Sequence, residues 1–208
     1  FVVTTESQNV ANVHQIRTYP SIITDPFPDC KIWEAARATA AGPMYLPPIK
    51  INNIELVDGG FGKNNPITLL FSELCVLFGD PKFSEFGIAR PINCFLSIGT
   101  GMQPFTKIAY TEAHGTLESA LYMMSLAMAA AALATNTEDG HIFAQRIFNK
   151  REGVYFRFNI GVRKGDDWEK LIDLDQWEYM PELVRITKQY LLGEAKRVEE
   201  CASKIKTN

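Results

Sequence analysis

The sequence predicts an α/β fold, a three-layer α/β/α sandwich around a mostly parallel sheet. Short apolar segments rich in β-branched residues alternate along the chain with segments whose apolar residues recur every three to four positions. The 208 residues are 46% hydrophobic and 22% charged, which is enough apolar material for a buried core. The sequence contains no internal repeat, low-complexity tract or linker, so we expect residues 1–208 to lie within a single domain.

The first 43 residues predict two strands and a helix. Apolar and β-branched runs indicate strands at residues 1–5 and 13–19. A loop rich in Pro and Asp follows, and we expect its last aspartate, Asp29, to cap a helix that ends at Gly42-Pro43. The alanines of this helix leave room for another backbone, so we expect it to pack tightly against a sheet.

A hairpin and a second helix are predicted next. Residues 49–57 contain two extended pieces on either side of Asn52-Asn53, a pair typical of tight turns. An apolar stripe over residues 67–78 then predicts a helix, with Asn64 or Asn65 as its cap.

The second half of the chain predicts two more strands and two helices. Strands are indicated at residues 92–98 and 153–160, and alternation in the second predicts that its even-numbered residues form the buried face. Residues 121–134 are apolar but shorter than the roughly 20 residues that cross a bilayer. We therefore expect a buried helix there, with a lipid-facing surface helix as the alternative. A long helix with a solvated, charged face is predicted over residues 181–206.

Charge and cysteine content exclude several classes of function. The chain carries 21 Lys+Arg against 24 Asp+Glu, a net charge of −3, which argues against nucleic acid as a partner. The four cysteines lie far apart, without a CxxC pair or a histidine at zinc-ligand spacing. We therefore expect buried free thiols in a reducing compartment, no metal site and no cofactor.

The strongest candidate for chemistry is Asp58, which is followed by Gly59 and Gly60. Asp58 stands where a predicted strand enters a loop, the place at which α/β sheets bind their ligands. The two glycines permit positive φ and close backbone approach, which would let the carboxylate reach into a crevice. The alternative is a structural turn at the end of the strand.

Two other groups of residues are weaker candidates. Residues 97–101 also follow a strand, but they match neither a phosphate-binding GxGxxG nor a GxSxG nucleophile elbow, because Phe95 stands where the elbow has Gly. A nucleotide-binding loop is thus the weaker interpretation of this segment and a tight strand exit the stronger. His14, His114 and His141 form no metal pair, and we expect them to be satisfied polar side chains.

Three segments, taken together, resemble the patatin-like phospholipase family. They are Trp33–Pro43, Leu56–Gly60 with Asn64-Asn65-Pro66, and Phe95–Gly101. Their order and spacing are also similar to those of the family, over residues 1–102. The later strand and the closing helix look similar to fungal and other eukaryotic members.

The resemblance implies a serine acyl hydrolase that acts on lipid esters through a Ser-Asp dyad without a histidine. Asp58 falls on the family's catalytic aspartate, with Gly59 and Gly60 completing the motif. In that mechanism the aspartate takes the serine proton and returns it to the leaving alcohol. The implied partners are a phospholipid or other acyl-ester substrate and, transiently, a membrane surface. The resemblance is also compatible with fusion to further domains in the full-length protein. We expect a cytoplasmic protein that contacts membranes peripherally.

The family's glycine-rich oxyanion loop and its GxSxG elbow have no counterpart in these 208 residues. In the family both precede the strand that is similar to residues 1–5. We therefore expect the chain to be the C-terminal part of a patatin-like domain that lacks its N-terminal strands, and to be inactive by itself. The alternative is a non-catalytic patatin-like remnant that binds lipid or protein.

Overall fold

The computed structural model describes residues 1–20, 26–43, 45–79, 92–101, 122–123, 126–127, 130, 135–161 and 176–206. The chain divides into two units, the first comprising residues 1–89 and 106–140 and the second residues 90–105 and 141–208. Each unit has its own sheet. Among the described residues, no helix is long and apolar enough to cross a membrane.

The first unit is built on a four-stranded sheet. Its strands are β1 (Val2–Glu6), β2 (Val13–Ile16), β3 (Ile49–Ile51) and β4 (Ile54–Asp58). They lie in the order β2-β1-β4-β3, and every neighbouring pair is antiparallel. The predicted turn between β3 and β4 is confirmed, since Asn52 and Asn53 have φ angles of 48° and 65°, a conformation that asparagine tolerates well.

Helix α1 (Ile32–Thr39) packs on this sheet through small and apolar residues. The buried cluster that includes Ala38 of this helix also contains Ile16, Phe27, Ile51 and Leu56. The Thr39 hydroxyl donates a hydrogen bond to the carbonyl of Val3 at 2.8 Å, which attaches the end of the helix to β1. The expected tight packing of an alanine-rich helix on a sheet is confirmed.

Two further helices follow β4, the short α2 (Gly60–Lys63) and the longer α3 (Ile67–Phe78). Two residues of the apolar stripe predicted for α3, Ile67 and Phe71, are buried. Gly79 ends α3 as expected from the sequence.

A buried ion pair attaches α3 to the residues that follow β2. The Arg17 guanidinium donates to both carboxylate oxygens of Glu73, at 2.5 and 2.7 Å, and each side chain is less than a tenth exposed. The Tyr19 hydroxyl donates to the same carboxylate at 3.0 Å. The hydrogen bonds from Arg17 lower the pKa of Glu73 from its ordinary value of 4.5. The folded structure therefore stabilises the charged form of Glu73.

The second unit contains two parallel strands, β5 (Phe95–Ile98) and β6 (Tyr155–Phe158). Its helical segments are most of α4 (Glu138–Phe148), a 3₁₀ turn (Trp177–Tyr179), α5 (Met180–Gly193) and α6 (Ala195–Lys206). The rings of Phe95, Phe148 and Tyr155 form an aromatic group with centroids 5.1 to 6.4 Å apart. These rings fix α4 against the two strands.

The four cysteines form no disulfide in the described structure. Cys94 and Cys201 lie with their sulfur atoms 3.8 Å apart in the second unit. Burial, together with the neighbouring Cys201 thiol, raises the pKa of Cys94 to about 11. The Cys94 thiol is therefore protonated near neutral pH.

The α/β class is confirmed, but the mostly parallel sheet of a three-layer sandwich is not confirmed. Within the described residues three strand pairings are antiparallel and one is parallel. Loop length explains two of the three antiparallel pairings, because β1 and β2 are joined by residues 7–12 and β3 and β4 by residues 52–53. Connections this short allow antiparallel hairpins, whereas a parallel pair needs a crossover of about a dozen residues or more.

Two helix boundaries differ from the sequence prediction for local reasons. Lys31 precedes α1 and its N–H donates to Glu34 at 2.8 Å, so Asp29 is not the cap. The single helix predicted over residues 181–206 is two helices that meet at Glu194.

The two strands of the second unit are shorter than the predicted 92–98 and 153–160. The predicted alternation fails at Arg157, which is buried because its guanidinium donates to the buried Ser97 hydroxyl at 2.9 Å. Most of the apolar helix predicted over residues 121–134 lies outside the described residues.

Candidate active site

Asp58 lies at the C-terminal end of β4, one of the two central strands of the first unit's sheet. The preceding residues Leu56 and Val57 are buried, and the Asp58 N–H donates to the carbonyl of Ala41 at 3.0 Å. On the other side, Asp58 is the register partner of Thr4 in β1. The predicted position at a strand end is confirmed, and the backbone there is held from both sides.

The two carboxylate oxygens of Asp58 have different surroundings. Oδ1 accepts a hydrogen bond from the Gly60 N–H at 2.9 Å. Oδ2 faces two glycines, since a Cβ atom at Gly60 or Gly42 would lie 3.3 or 3.7 Å from it. Among the described residues, Oδ2 accepts no hydrogen bond. One oxygen is thus held in place, and the other has room to accept a proton.

Gly59 is needed because β1 passes close behind it. A Cβ atom at Gly59 would lie 2.6 Å from both the carbonyl oxygen and Cγ1 of Val3. The φ of Gly59 is −70°, and Gly60 also avoids positive φ, so that part of the sequence interpretation is wrong. The positive φ of this turn, +92°, occurs at Gly62. The expected close backbone approach at Gly59 is confirmed.

Replacing Gly59 with Ala should destabilise the fold by about 1–3 kcal/mol, the usual cost of overpacking. The new methyl would collide with the β1 backbone, which cannot rotate aside as a flexible side chain can. Urea unfolding measures the loss. Gly193→Ala is the matched control, because no atom lies within 4 Å of its Cβ position and Ala favours a helix over Gly by about 1 kcal/mol. An equal loss of stability in both variants would contradict the contact argument.

The Asp58 carboxylate faces an open pocket of about 240 Å³ within the first unit. Its lining combines the start of β1 and the end of α1 with the turn that follows Asp58. Asp58 and Lys63 are the two charged side chains of this lining among the described residues. The pocket lining therefore combines one acidic residue with one basic residue.

Asn64 and Asn65 hold a second segment beside this pocket. The Asn64 amide donates to the carbonyl of Thr135 at 3.0 Å, and the Asn65 amide donates to the carbonyl of Thr137 at 2.9 Å. Neither asparagine caps α3, contrary to the sequence prediction, and Pro66 occupies the cap position. Their role in the structure is to fix residues 135–137 to the turn.

Residues 97–101 belong to the second unit and form a tight strand exit. The Gly99 N–H donates to the Phe158 carbonyl at 2.8 Å, and the Gly101 N–H donates to Asn159 Oδ1 at 2.8 Å. The Asn159 side chain occupies the space that a Cβ at Gly99 would need. This geometry agrees with the structural interpretation of the segment.

The two described histidines bind polar partners, as expected. A nitrogen of His14 lies 2.7 Å from Glu6 Oε1, and this hydrogen bond lowers the pKa of Glu6. His141 Nδ1 lies 2.9 Å from the Tyr155 hydroxyl. His114 lies outside the described residues.

No described serine is hydrogen-bonded to Asp58. Ser7 donates to Glu55 at 2.6 Å, Ser97 accepts from Arg157, and Ser72 is exposed on α3. Ser203 donates to a carbonyl of its own helix. The remaining serines lie outside the described residues; they are Ser21, Ser84, Ser119 and Ser125. Among the described residues, no group of three or more His, Cys, Asp or Glu side chains could hold a metal ion.

Thr39 and Lys63 line the pocket, although no motif in the sequence singles them out. Thr39 reaches the pocket because α1 ends against β1, a contact between distant parts of the chain. Lys63, five positions after Asp58, reaches the pocket through the turn at Gly62. A cation directly after a glycine-rich turn is the signal that could have indicated Lys63.

Comparison with known proteins identifies a family that is similar to part of this chain. Residues 2–71, which are 70 of the 208 residues, match the family described as Patatin-like phospholipase. That match contains the α1 segment and the Asp58 segment of the resemblance, whereas residues 95–101 lie outside it. No solved structure matches the chain.

Three relatives have names that describe phospholipases. Patatin-like phospholipase 1 of Plasmodium falciparum (isolate NF54) is 31% identical over 140 residues, covering 62% of this chain and 20% of the relative. Human calcium-independent phospholipase A2-gamma is 30% identical over 129 residues, covering 62% of this chain and 14% of the relative. Phospholipase A I of Arabidopsis thaliana is 34% identical over 77 residues, covering 36% of this chain and 5% of the relative.

The chain thus spans a fifth or less of the length of these relatives. The family match includes the residues around Asp58. Over residues 2–71, the chain is similar to the patatin-like phospholipase family.

Proposed function

We propose that this chain supplies the general base of a lipid acyl hydrolase of the phospholipase A or esterase type. The observation that carries the proposal is the setting of Asp58, which lines an open pocket and has Oδ1 held by the Gly60 N–H while Oδ2 accepts no hydrogen bond from the described residues. A general base needs an oxygen that is fixed in position and accessible to a proton donor. Asp58 also lies within the residues that match the family.

In the proposed reaction Asp58 works with a serine as a Ser-Asp dyad. The carboxylate takes the serine proton while the serine oxygen bonds to the ester carbonyl carbon. Collapse of the tetrahedral intermediate breaks the bond to the leaving alcohol, which receives the proton back from Asp58. Water then hydrolyses the acyl-enzyme by the same proton exchange, releasing a fatty acid.

The nucleophile of this dyad is proposed to come from a GxSxG motif outside the 208 residues. None of the eight serines in the sequence stands in such a motif. The chain would then be the C-terminal part of the catalytic domain, and it would be inactive by itself. The backbone donors that stabilise the oxyanion are likewise proposed to come from outside this sequence.

The proposed substrates are phospholipids or other acyl esters, met in transient contact with a membrane surface. The names of the relatives support this class, since each describes a phospholipase. The absence of a GxSxG motif from the 208 residues supports a second candidate, a non-catalytic patatin-like module that binds lipid or protein.

Fatty acid release from phosphatidylcholine in mixed micelles distinguishes the two candidates. Two preparations are compared, the 208-residue chain and the product of the complete natural reading frame that encodes it, called the complete protein below. We expect release by the complete protein and none by the chain alone. Binding of the micelles without release by either preparation would favour the non-catalytic module. Release by the 208-residue chain would contradict an external nucleophile.

A further inference from the structure

Lys63 is a cation that faces the same pocket as Asp58. Lys63 is half-buried and is one of the residues that line the pocket. Among the described residues, no carboxylate lies within ion-pair distance of the Lys63 ammonium group, and Asp58 is no exception. The Lys63 charge is therefore available to a ligand in the pocket.

The turn between Asp58 and Lys63 has a defined geometry. The Lys63 N–H donates to the Gly59 carbonyl at 3.2 Å, which closes the turn. Within it, Gly62 adopts a φ of +92°, a conformation that residues with a side chain rarely adopt. The backbone at Lys63 is therefore set by the same turn that holds the Asp58 carboxylate.

Charge and size together restrict what the pocket can bind. The charge of a half-buried lysine that lacks an ion-pair partner among the described residues favours an anionic ligand, because its attraction is screened less than on an open surface. The pocket volume of about 240 Å³ is below the roughly 300–1,000 Å³ of pockets for drug-sized ligands. It can hold the ester and headgroup region of a lipid, but not the acyl chains as well.

We propose that Lys63 binds the phosphate of a phospholipid whose acyl ester lies at Asp58, and that it makes the site prefer phosphate-bearing esters over neutral acylglycerols. The proposal rests on the proposed function and assigns its headgroup specificity to one residue. Lysine is suited to the role as a compact point charge with three donors. The phosphate takes no part in bond breaking, so Lys63 acts by binding and positioning.

The test compares two substrates that differ only at the phosphate-bearing headgroup. The complete protein hydrolyses phosphatidylcholine or diacylglycerol with the same acyl chains in nonionic micelles. Lys63→Gln should lower the ratio of the two kcat/KM values about tenfold, chiefly through KM for phosphatidylcholine, because the variant loses the charge-assisted hydrogen bond from the ammonium group to the phosphate. Lys63→Arg should keep most of the preference. Lys50→Gln, which removes an exposed cation of β3 outside the pocket, should leave the ratio unchanged.

A binding measurement separates this proposal from the proposed function. Titration with a short-chain diether phosphocholine, which has no ester to cleave, should give a Kd about tenfold weaker for Lys63→Gln than for the natural protein. That result would support Lys63 as the phosphate ligand even if no substrate were hydrolysed. Equal losses on both substrates, or an unchanged Kd for the diether, would overturn the assignment while leaving Asp58 in its role.

Discussion

Asp58→Asn should lower the kcat for phospholipid hydrolysis by the complete protein about 10²- to 10⁴-fold, the usual contribution of general base catalysis. The substitution replaces one carboxylate oxygen by an amide NH₂ and keeps the size of the side chain. The remaining oxygen can still accept the Gly60 N–H, so the turn keeps its hydrogen bond. What the variant loses is the ability to take the serine proton. Initial rates at saturating substrate measure the effect.

Asp29→Asn is the matched control for this substitution. Asp29 is an exposed aspartate of the same unit and does not line the pocket, so the variant makes the same chemical change without touching the site. Its kcat should equal that of the natural protein. An Asp58→Asn variant that folds normally and keeps its kcat within a few-fold of the Asp29→Asn value would remove Asp58 from the mechanism.

Glu73→Ala should destabilise the fold by about 3–5 kcal/mol, the usual cost of breaking a buried ion pair by removing one partner. The variant leaves the Arg17 guanidinium buried without the carboxylate that now accepts two of its hydrogen bonds. It also removes the acceptor of the Tyr19 hydroxyl. Urea unfolding of the natural chain and the variant measures the difference.

The control for Glu73 is an ion pair of similar geometry on the surface. Glu182 receives two hydrogen bonds from Arg185 within α5, and both side chains are about half exposed or more. Glu182→Ala should cost less than about 1 kcal/mol, because exposed pairs contribute little. Similar losses of unfolding free energy in the two variants would show that burial of the Arg17–Glu73 pair does not determine its contribution to stability.

The same ion pair predicts how stability depends on pH. The hydrogen bonds from Arg17 lower the pKa of folded Glu73 from the ordinary 4.5, so the unfolded chain takes up this proton first as pH falls. The stabilisation by Glu73 is present in full above pH 4.5 and is lost as the pH falls through the lower, folded value. The stability difference between the natural chain and Glu73→Gln should therefore shrink in acid. A difference that stays constant from neutral pH down to pH 3 would contradict this account.

Features that depend on neighbouring residues could be predicted from the sequence. The turn at Asn52-Asn53 is encoded by two residues that tolerate positive φ, and the strand ending at Asp58 is encoded by the apolar run before it. The start of α1 was missed by a small margin, because a glutamate one turn along binds the N–H of Lys31 and no cap at Asp29 is needed.

Features that depend on distant contacts could not be predicted in the same way. The antiparallel pairing of β1 with β4 joins residues more than 50 positions apart, and the need for glycine at position 59 appears only when Val3 lies behind it. Arg157 looked like the exposed side of an alternating strand, yet its hydrogen bond to Ser97 on the neighbouring strand allows it to be buried. Lys63 became a site residue through the shape of one turn.

Covalent labelling with a fluorophosphonate tests the central claim, that Asp58 activates a serine, most directly. The reagent reacts with activated serine hydroxyls, and mass spectrometry of the labelled complete protein locates the modified residue. We expect a single labelled serine in a GxSxG motif outside the 208 residues, and a rate of labelling that falls in Asp58→Asn in parallel with kcat. Labelling of one of the eight serines in this sequence, or labelling at an undiminished rate in Asp58→Asn, would contradict it.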